Sequence, residues 1–374
     1  VSATMRPDDA FYMDRALELG RRGLGNTWPN PAVGCVVVRD GDIVGEGWTQ
    51  PGGRPHAETE ALAMADDRAR GATAYVTLEP CAHQGQTPPC TDTLIAAGIA
   101  RVVAPFSDKD PRVSGQGFAR LREAGIDVTT GVGADSAAVD HAGFFLRTEL
   151  GRPLVTLKLA TSLDGRIATA SGDSQWITGP ETRAHVHHLR ACHDAVMVGA
   201  GTARADDPLL TVRGPDVPKQ PVRIVVTRRL DIPRDSKLVS TLPEAPLWLC
   251  HGDDAPAEAR AAWQALGAIL IRVPLVGRQL DIGALMQALG TQGLTRVFCE
   301  GGGELAASLF GADVVDRLDL HMGGVIIGAE GRPALGALGL EKLSDAPRFH
   351  LLSVRHIGED VVQSWTRQRR QSQA

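Results

Sequence analysis

At 374 residues, 43% of them hydrophobic and 22% charged, the chain is long enough for two domains with full cores. Its net charge of -5 comes from interspersed acidic and basic residues, so no basic footprint marks a duplex or tRNA partner. No apolar run approaches the roughly 18 residues of a membrane span, and Val1 to Asp9 lacks the apolar core of a signal peptide. These features predict a cytoplasmic protein with a small-molecule partner and neither nucleic acid nor membrane.

Asp8 to Gly23 reads as an amphipathic helix, with Phe11, Ala16 and Leu19 among its apolar positions. The apolar runs Ala32 to Val38 and Ile43 to Trp48 flank Arg39-Asp40-Gly41-Asp42, and the Asp-Gly pair predicts a hairpin. His56 to Ala65 is helix-like, which puts His56 and Glu58 in a first turn, where the helix dipole favours a carboxylate. Ala72 to Leu78 reads as a strand that delivers Pro80-Cys81 at its end, and Cys90 opens a helix running to Ala97. A strand from Arg101 to Pro105, a helix from Gly117 to Ala124 and a strand from Ile126 to Thr130 continue the alternation. This half is therefore expected to be an α/β layer structure with its site at strand ends and helix starts.

His56-Ala57-Glu58, then Pro80-Cys81, then Cys90 form the strongest chemical signal in the chain. One imidazole and two thiolates leave a fourth tetrahedral position open, the pattern of a catalytic rather than a structural zinc. Glu58 sits two residues from the His, where it can move protons without binding the metal, as in the zinc deaminases of nucleobases. A lone His is usually a surface or capping residue, and lone cysteines are usually buried thiols; the ordered set makes coincidence a minor alternative. The departure is the interval from Cys81 to Cys90, wider than P-C-x-x-C, which Gly85 and Pro88-Pro89 are suited to fold back. Of six cysteines, the remaining Cys35, Cys192, Cys250 and Cys299 show no disulfide rhythm and read as buried or incidental thiols.

A helix from Asp135 to Leu150 ends at Gly151-Arg152-Pro153, a hinge that places a domain boundary between residues 150 and 151. Pro153 to Ala160 starts a second strand series, with Ala195 to Gly199, Val222 to Thr227, Leu247 to Cys250, Ala268 to Val273 and Thr295 to Cys299 alternating with helical segments such as Ala257 to Leu266. A second α/β domain with a mostly parallel sheet is expected, with Asp316 to Met322 and Asp360 to Trp365 on an edge and Thr366 to Ala374 as a mobile polar tail. Glu300-Gly301-Gly302-Gly303, between a strand and a helix from Glu304 to Phe310, suits a phosphate group. It is not the G-x-G-x-x-G fingerprint, which disfavours a standard dinucleotide fold. Val198 to Arg213 is a second glycine-bearing strand exit, dense in polar residues, and reads as a ligand loop with a solvated loop as its competitor.

Asn30-Pro31-Ala32-Val33-Gly34-Cys35, His56-Ala57-Glu58, Thr77-Leu78-Glu79-Pro80-Cys81-Ala82-His83, Thr87-Pro88-Pro89-Cys90, Lys158 to Gly165, Ser174 to Thr178, Asp206-Asp207-Pro208 and Glu300-Gly301-Gly302 together resemble the bifunctional riboflavin-biosynthesis deaminase/reductase of bacteria. The resemblance runs in order over nearly the whole chain. It implies a cytidine-deaminase-like domain over residues 1–150 and a dihydrofolate-reductase-like domain over 151–374. The first would remove the amine of a diaminopyrimidine ribosyl phosphate; the second would reduce ribosyl to ribityl with NADPH. It further implies that His56, Cys81 and Cys90 hold Zn2+ and that Glu58 shuttles protons. Ala160, Trp176, Thr202, Asp206, Gly302, Gly303, Glu304, Leu305, Ala306, Ala307 and Ser308 match cofactor-contacting positions, and Ser174, Arg190, Leu210, Arg213 and Glu300 match substrate-contacting ones. Arg190 and Arg213 are forks suited to a sugar phosphate, and Arg183, Arg204, Arg228 and Arg229 are candidates for the cofactor's 2′-phosphate. A homo-oligomer, most simply a dimer, is also implied. One departure stands out: Gln86 occupies a position that is commonly Lys or Arg in the family. The competing readings are a deaminase of nucleic acid, which lacks its basic channel, and a degenerate binding module in one half, which the intact metal set and Glu58 oppose for the N-terminal half but not for the C-terminal half, where glycine turns survive without catalysis.

Overall fold

A computed structural model of the chain describes residues 5–85, 88–110 and 114–368. Gln86 and Thr87 lie outside the described residues, as does the tail from residue 369. The chain divides into two units, Val1–Gly151 and Arg152–Ala374.

The first unit contains α1 (Asp9–Arg21), β1 (Gly34–Arg39), β2 (Asp42–Trp48), α2 (Ala57–Ala65), β3 (Thr73–Val76), α3 (Cys90–Ala96), β4 (Arg101–Ala104), α4 (Gln116–Glu123), β5 (Asp127–Thr130) and α5 (Ala134–Leu150). Its sheet has the order β2-β1-β3-β4-β5. β1 is antiparallel to β2 and β3, while β3, β4 and β5 are parallel. At the hairpin, Asp40 has φ 54° and Gly41 φ 92°, the pair of positive angles that a tight hairpin turn requires. Alternation along β1 divides the core between the two faces of the sheet. Cys35 and Val37 pack with Ala61, Leu94 and Leu121, and Val36 and Val38 pack with Met13, Leu17 and Ala137.

Two glycines in β2 decide how closely α2 can lie. A Cβ at Gly45 would sit 2.1 Å from the Ala61 carbonyl oxygen, and one at Gly47 would sit 2.4 Å from that of Ala57. The small residues Ala57, Ala61 and Ala65 face them, all fully buried, so the start of α2 is held hard against the sheet. A buried ion pair ties α1 to the parallel strands. The Arg101 guanidinium donates to both Asp9 carboxylate oxygens at 2.8 Å, and Tyr75 Oη donates to the same carboxylate at 2.9 Å.

The second unit opens with β6 (Leu154–Thr161), β7 (Arg166–Ala168), α6 (Pro180–Ala191), β8 (Ala195–Gly199), α7 (Ala200–Asp206), β9 (Val222–Val226), α8 (Lys237–Ser240) and β10 (Leu247–Gly252). It continues with α9 (Ala257–Ala265), β11 (Ile269–Val273), β12 (Leu275–Val276), β13 (Gln279–Leu280), α10 (Ile282–Thr291), β14 (Arg296–Gly301), α11 (Gly303–Gly311), β15 (Arg317–Met322), β16 (Arg332–Pro333), β17 (Phe349–Ile357) and β18 (Asp360–Arg367). Nine strands form one sheet in the order β11-β10-β9-β8-β14-β6-β15-β18-β17. The pairings from β11 to β15 are parallel and those of β18 antiparallel. An open, mostly parallel sheet gathers ligands where its strands end.

The expected edge strands need correction. β15 lies inside the sheet between β6 and β18, β18 lies between β15 and β17, and the edge on that side is β17, with β11 at the other. Phe349–Ile357 mixes His and Arg with apolar residues and leaves most of them exposed, so it shows no clean alternation by which to recognise it. Thr366 and Arg367, expected in the tail, pair within β18.

Candidate active sites

The first site is built by three chain segments. His56 is the N-cap of α2, Glu58 lies in the first turn of that helix, and Cys90 is the first residue of α3. Cys81 follows β3 and is fixed from both sides. The Cys90 backbone N–H donates to its sulfur at 3.3 Å, and the Thr91 backbone N–H donates to its carbonyl at 3.2 Å. His56 Nδ1 is 3.2 Å from Cys90 Sγ and 3.8 Å from Cys81 Sγ, and all three ligand atoms lie within 4.8 Å of one another. A tetrahedral zinc with Zn–S and Zn–N bonds of about 2.3 and 2.0 Å spaces N and S about 3.5 Å apart, so the donor set fits the ion in both chemistry and dimension.

One of the two thiols is already predisposed to ionise. Hydrogen bonding to Cys90, with His56 alongside, draws the Cys81 thiol down to about 4 against the effect of burial. The Cys90 thiol is pushed far up by its bond to Cys81 and by burial. Cys81 also raises the His56 pKa. Glu58 is 4% exposed, and burial raises its carboxyl above the ordinary range, which favours a group that must take up a proton and release it.

Glu79 has a supporting part that the sequence reading left unassigned. Its carboxylate accepts backbone N–H bonds from Asp108 and Gly115, both at 2.9 Å, and from Phe118 at 3.1 Å. A Cβ on Gly117 would sit 2.1 Å from the Pro80 carbonyl oxygen. One carboxylate and one glycine thus hold the start of α4 against the Pro80-Cys81 corner. The only hint in the sequence is an acidic residue placed where a strand exit turns inward.

The second site draws on residues far apart in sequence. Arg190, on α6, turns the paired edge of its guanidinium to Glu300: Nε meets Oε1, and Nη2 donates to Oε2 at 2.9 Å. Its Nη1 donates to the Thr211 carbonyl at 2.7 Å. Burial opposes ionisation of Glu300, yet Arg190 and Lys158 outweigh it and hold the carboxyl below its usual value. Lys158 was given no role from sequence. It is the one charged residue of β6, its pKa lowered by burial against support from Glu300, and a charge inside a buried strand is the signal for it.

Gly301 and Gly302 have φ of 93° and 95°, a region that glycine enters without penalty. Thr202 Oγ1 donates to the Gly301 carbonyl at 3.3 Å, and a Cβ on Gly302 would come within 3.0 Å of that hydroxyl. The two glycine-bearing strand exits therefore meet, with Gly302 as the N-cap of α11. The N–H groups that open a helix are donors of the kind that can hold a phosphate. Within Gly302 to Ser308, Leu305 and Ala306 are buried, which leaves Gly302, Gly303, Glu304, Ala307 and Ser308 as the less enclosed positions. Asp206 ends α7, its pKa raised by burial. Leu210 is buried at φ 57°, Ala160 lies near the end of β6, and Ser174 is half-buried in the loop after β7. Trp176 is 67% exposed and carries the Arg183 guanidinium 4.4 Å from its ring centroid. Of the other 2′-phosphate candidates, Arg204 pairs with Asp231 at 3.0 Å and Arg228 with Asp254 at 2.6 Å, while Arg229 is exposed.

A deaminase joined to a reductase is the class that these units define, and comparison with known proteins reaches the same class for each. Residues 6–105 match the cytidine and deoxycytidylate deaminase zinc-binding region, and residues 153–363 match the RibD C-terminal domain. The chain is 44% identical over 365 residues to the riboflavin biosynthesis protein RibD of Escherichia coli, spanning 94% of this chain and 98% of that one. It is 38% identical to the RibD of Aquifex aeolicus, over 96% and 98% of the two chains. Acinetobacter baumannii RibD superposes with a TM-score of 0.87 at 36% identity, covering 97% of this chain and 99% of that one. A Thermotoga maritima diaminohydroxyphosphoribosylaminopyrimidine deaminase/5-amino-6-(5-phosphoribosylamino)uracil reductase gives 0.84 at 32% identity, covering 96% and 98%.

The chain belongs to the RibD family of riboflavin biosynthesis. It is a bifunctional enzyme, with a zinc-dependent deaminase of cytidine-deaminase-like fold and a reductase of dihydrofolate-reductase-like fold.

Proposed function

We propose that residues 1–150 hydrolyse the amine of 2,5-diamino-6-ribosylamino-4(3H)-pyrimidinone 5′-phosphate and that residues 151–374 reduce the ribosyl group of the product to ribityl with NADPH. The observation that carries the first half is the convergence of His56, Cys81 and Cys90 beside the buried Glu58. His56 Nδ1 and the two sulfurs would hold zinc, which when bound lowers the pKa of water and so provides a nucleophile at neutral pH. Glu58 accepts a proton from the attacking water as oxygen bonds to the ring carbon, then returns it to the nitrogen that leaves as ammonia.

For the second half, the cradle of Gly302, Gly303 and Thr202 would hold NADPH, which supplies hydride. The ribosylamine would open to an imine whose carbon is the hydride acceptor and whose nitrogen takes a proton from solvent, and the protein mainly orients the reactants. Glu300, kept ionised by Arg190 and Lys158 against its burial, would bind the sugar, and Arg213 its phosphate. A cytoplasmic homodimer is the assembly we favour, from the family resemblance; among the described residues no helix is long and apolar enough to cross a membrane.

Mass spectrometry of products from the diaminopyrimidine ribosyl phosphate tests this reading. Exchange of an amine for oxygen without cofactor, and gain of two hydrogens on adding NADPH, is the expected result. An unchanged substrate under both conditions overturns it.

A further inference from the structure

Helix α6 carries His187 one turn before Arg190, so the two side chains leave the same side of the helix. The Arg213 backbone N–H donates to His187 Nδ1 at 3.1 Å. An amide N–H can only donate, so Nδ1 holds the lone pair and, in the neutral ring, Nε2 carries the proton. Nε2 nevertheless lies 3.4 Å from Arg213 Nη2, and a guanidinium has no acceptor. Two donors are turned towards each other, an arrangement that a shared anion satisfies and a direct bond between them does not.

The surroundings agree. The groups around the ring are Arg190, Arg213, Glu300 and the Thr211 carbonyl. The Thr211 carbonyl makes only a minor hydrogen bond to the ring and also accepts from Arg190 Nη1, and Glu300 is occupied by the same arginine, so no anion of the protein's own is given over to the ring. Burial and the two arginines push the His187 pKa below its ordinary value, so the ring is neutral at pH 7 and presents an uncharged N–H beside the Arg213 charge. Both residues remain open to solvent in part, so an incoming anion can reach them.

We propose that His187 Nε2–H is a further ligand for the 5′-phosphate of the reductase substrate. With Arg213, it makes this unit select phosphorylated over unphosphorylated ribosyl compounds. The inference rests on the reading of Arg213 as a phosphate ligand, and the test separates the two.

The full-length protein is assayed by NADPH oxidation with the deaminated ribosylaminouracil phosphate and with the same compound after phosphatase treatment. His187→Ala is expected to raise KM for the phosphorylated compound about tenfold with little change in kcat, as loss of a charge-assisted hydrogen bond does. It should leave KM for the dephosphorylated compound unchanged, and His187→Gln, which keeps an N–H donor, should recover most of the loss. If Arg213→Ala raises KM selectively but His187→Ala does not, the His187 proposal fails and the Arg213 reading stands. An equal rise for both compounds in His187→Ala marks a structural role and also overturns the proposal. If neither variant responds to the phosphate, both readings fall.

Discussion

The two sites of this enzyme are assembled in opposite ways. In the deaminase, ligands come from consecutive segments at helix starts, His56 before α2 and Cys90 at the head of α3, and they already touch through hydrogen bonds. In the reductase, Lys158, Arg190 and Glu300 come from three separate elements and Thr211 from the loop after α7, held together by charge and by a bond to the Thr211 carbonyl. A metal site needs a few donor atoms at fixed spacing, which short motifs and close backbone packing can supply. A site for a sugar phosphate and a dinucleotide needs a wide surface, so its residues are spread across the ends of a large sheet.

The contrast can be broken at its chemical centre. Glu58→Gln keeps size and hydrogen bonding but removes the proton carrier. Deamination should fall by about 10²- to 10⁴-fold, with zinc content and NADPH-dependent reduction of the deaminated compound unchanged. A variant that loses both activities would mean that Glu58 supports the whole protein rather than one reaction.

The next effect concerns stability of the first unit. Asp9 and Arg101 are 0% and 3% exposed at their side chains, and removing one partner of such a pair costs about 3–5 kcal/mol. Asp9→Asn should therefore destabilise the deaminase unit by that order in denaturant unfolding. Burial raises the Asp9 pKa, but bonds from Arg101, the Arg6 backbone and Tyr75 outweigh it and leave it below 3.8. The lower folded value means that the pair's contribution is present in full above the ordinary carboxyl range and is lost as pH falls through the depressed pKa. Wild type should lose this stability under acid and the variant should not, a difference that melting curves between pH 5 and 2 can read.

A smaller effect sharpens the packing argument. Gly47→Ala places a methyl against the Ala57 carbonyl and the Ala61 amide, and overpacking of this kind costs about 1–3 kcal/mol. Because the clash falls beside the first turn of α2, zinc affinity should weaken with stability, whereas Gly41→Ala, whose Cβ would meet nothing within 4 Å, should leave zinc affinity alone. The smallest change is Gln86→Lys. It restores the cation common in the family and should lower the Michaelis constant of deamination a few-fold without altering kcat; an unchanged constant counts against a role in substrate binding.

The same contrast governs how much could be read from the chain alone. His56, Glu58, Cys81 and Cys90 were legible because metal chemistry restricts residue type and spacing, and the Asp40-Gly41 hairpin was legible because its backbone angles restrict sequence. The edge strand β17 was not, since its neighbours on one side only leave the residue pattern loose. Glu79 was hidden because it acts through backbone N–H groups, which any sequence offers. Arg190 was visible as a fork suited to an anion, but that its paired edge is taken by Glu300 depends on a fold that brings β14 next to β6 and α6 over their ends.

Selective removal of the metal tests the division between the two sites most directly. Chelator-treated protein would be analysed for zinc and assayed separately for deamination and for reduction of the deaminated compound. The account predicts one zinc per chain before treatment, deamination lost with the metal and regained on its return, and reduction unaffected throughout. Deamination that persists without zinc, or reduction that disappears with it, would contradict that division.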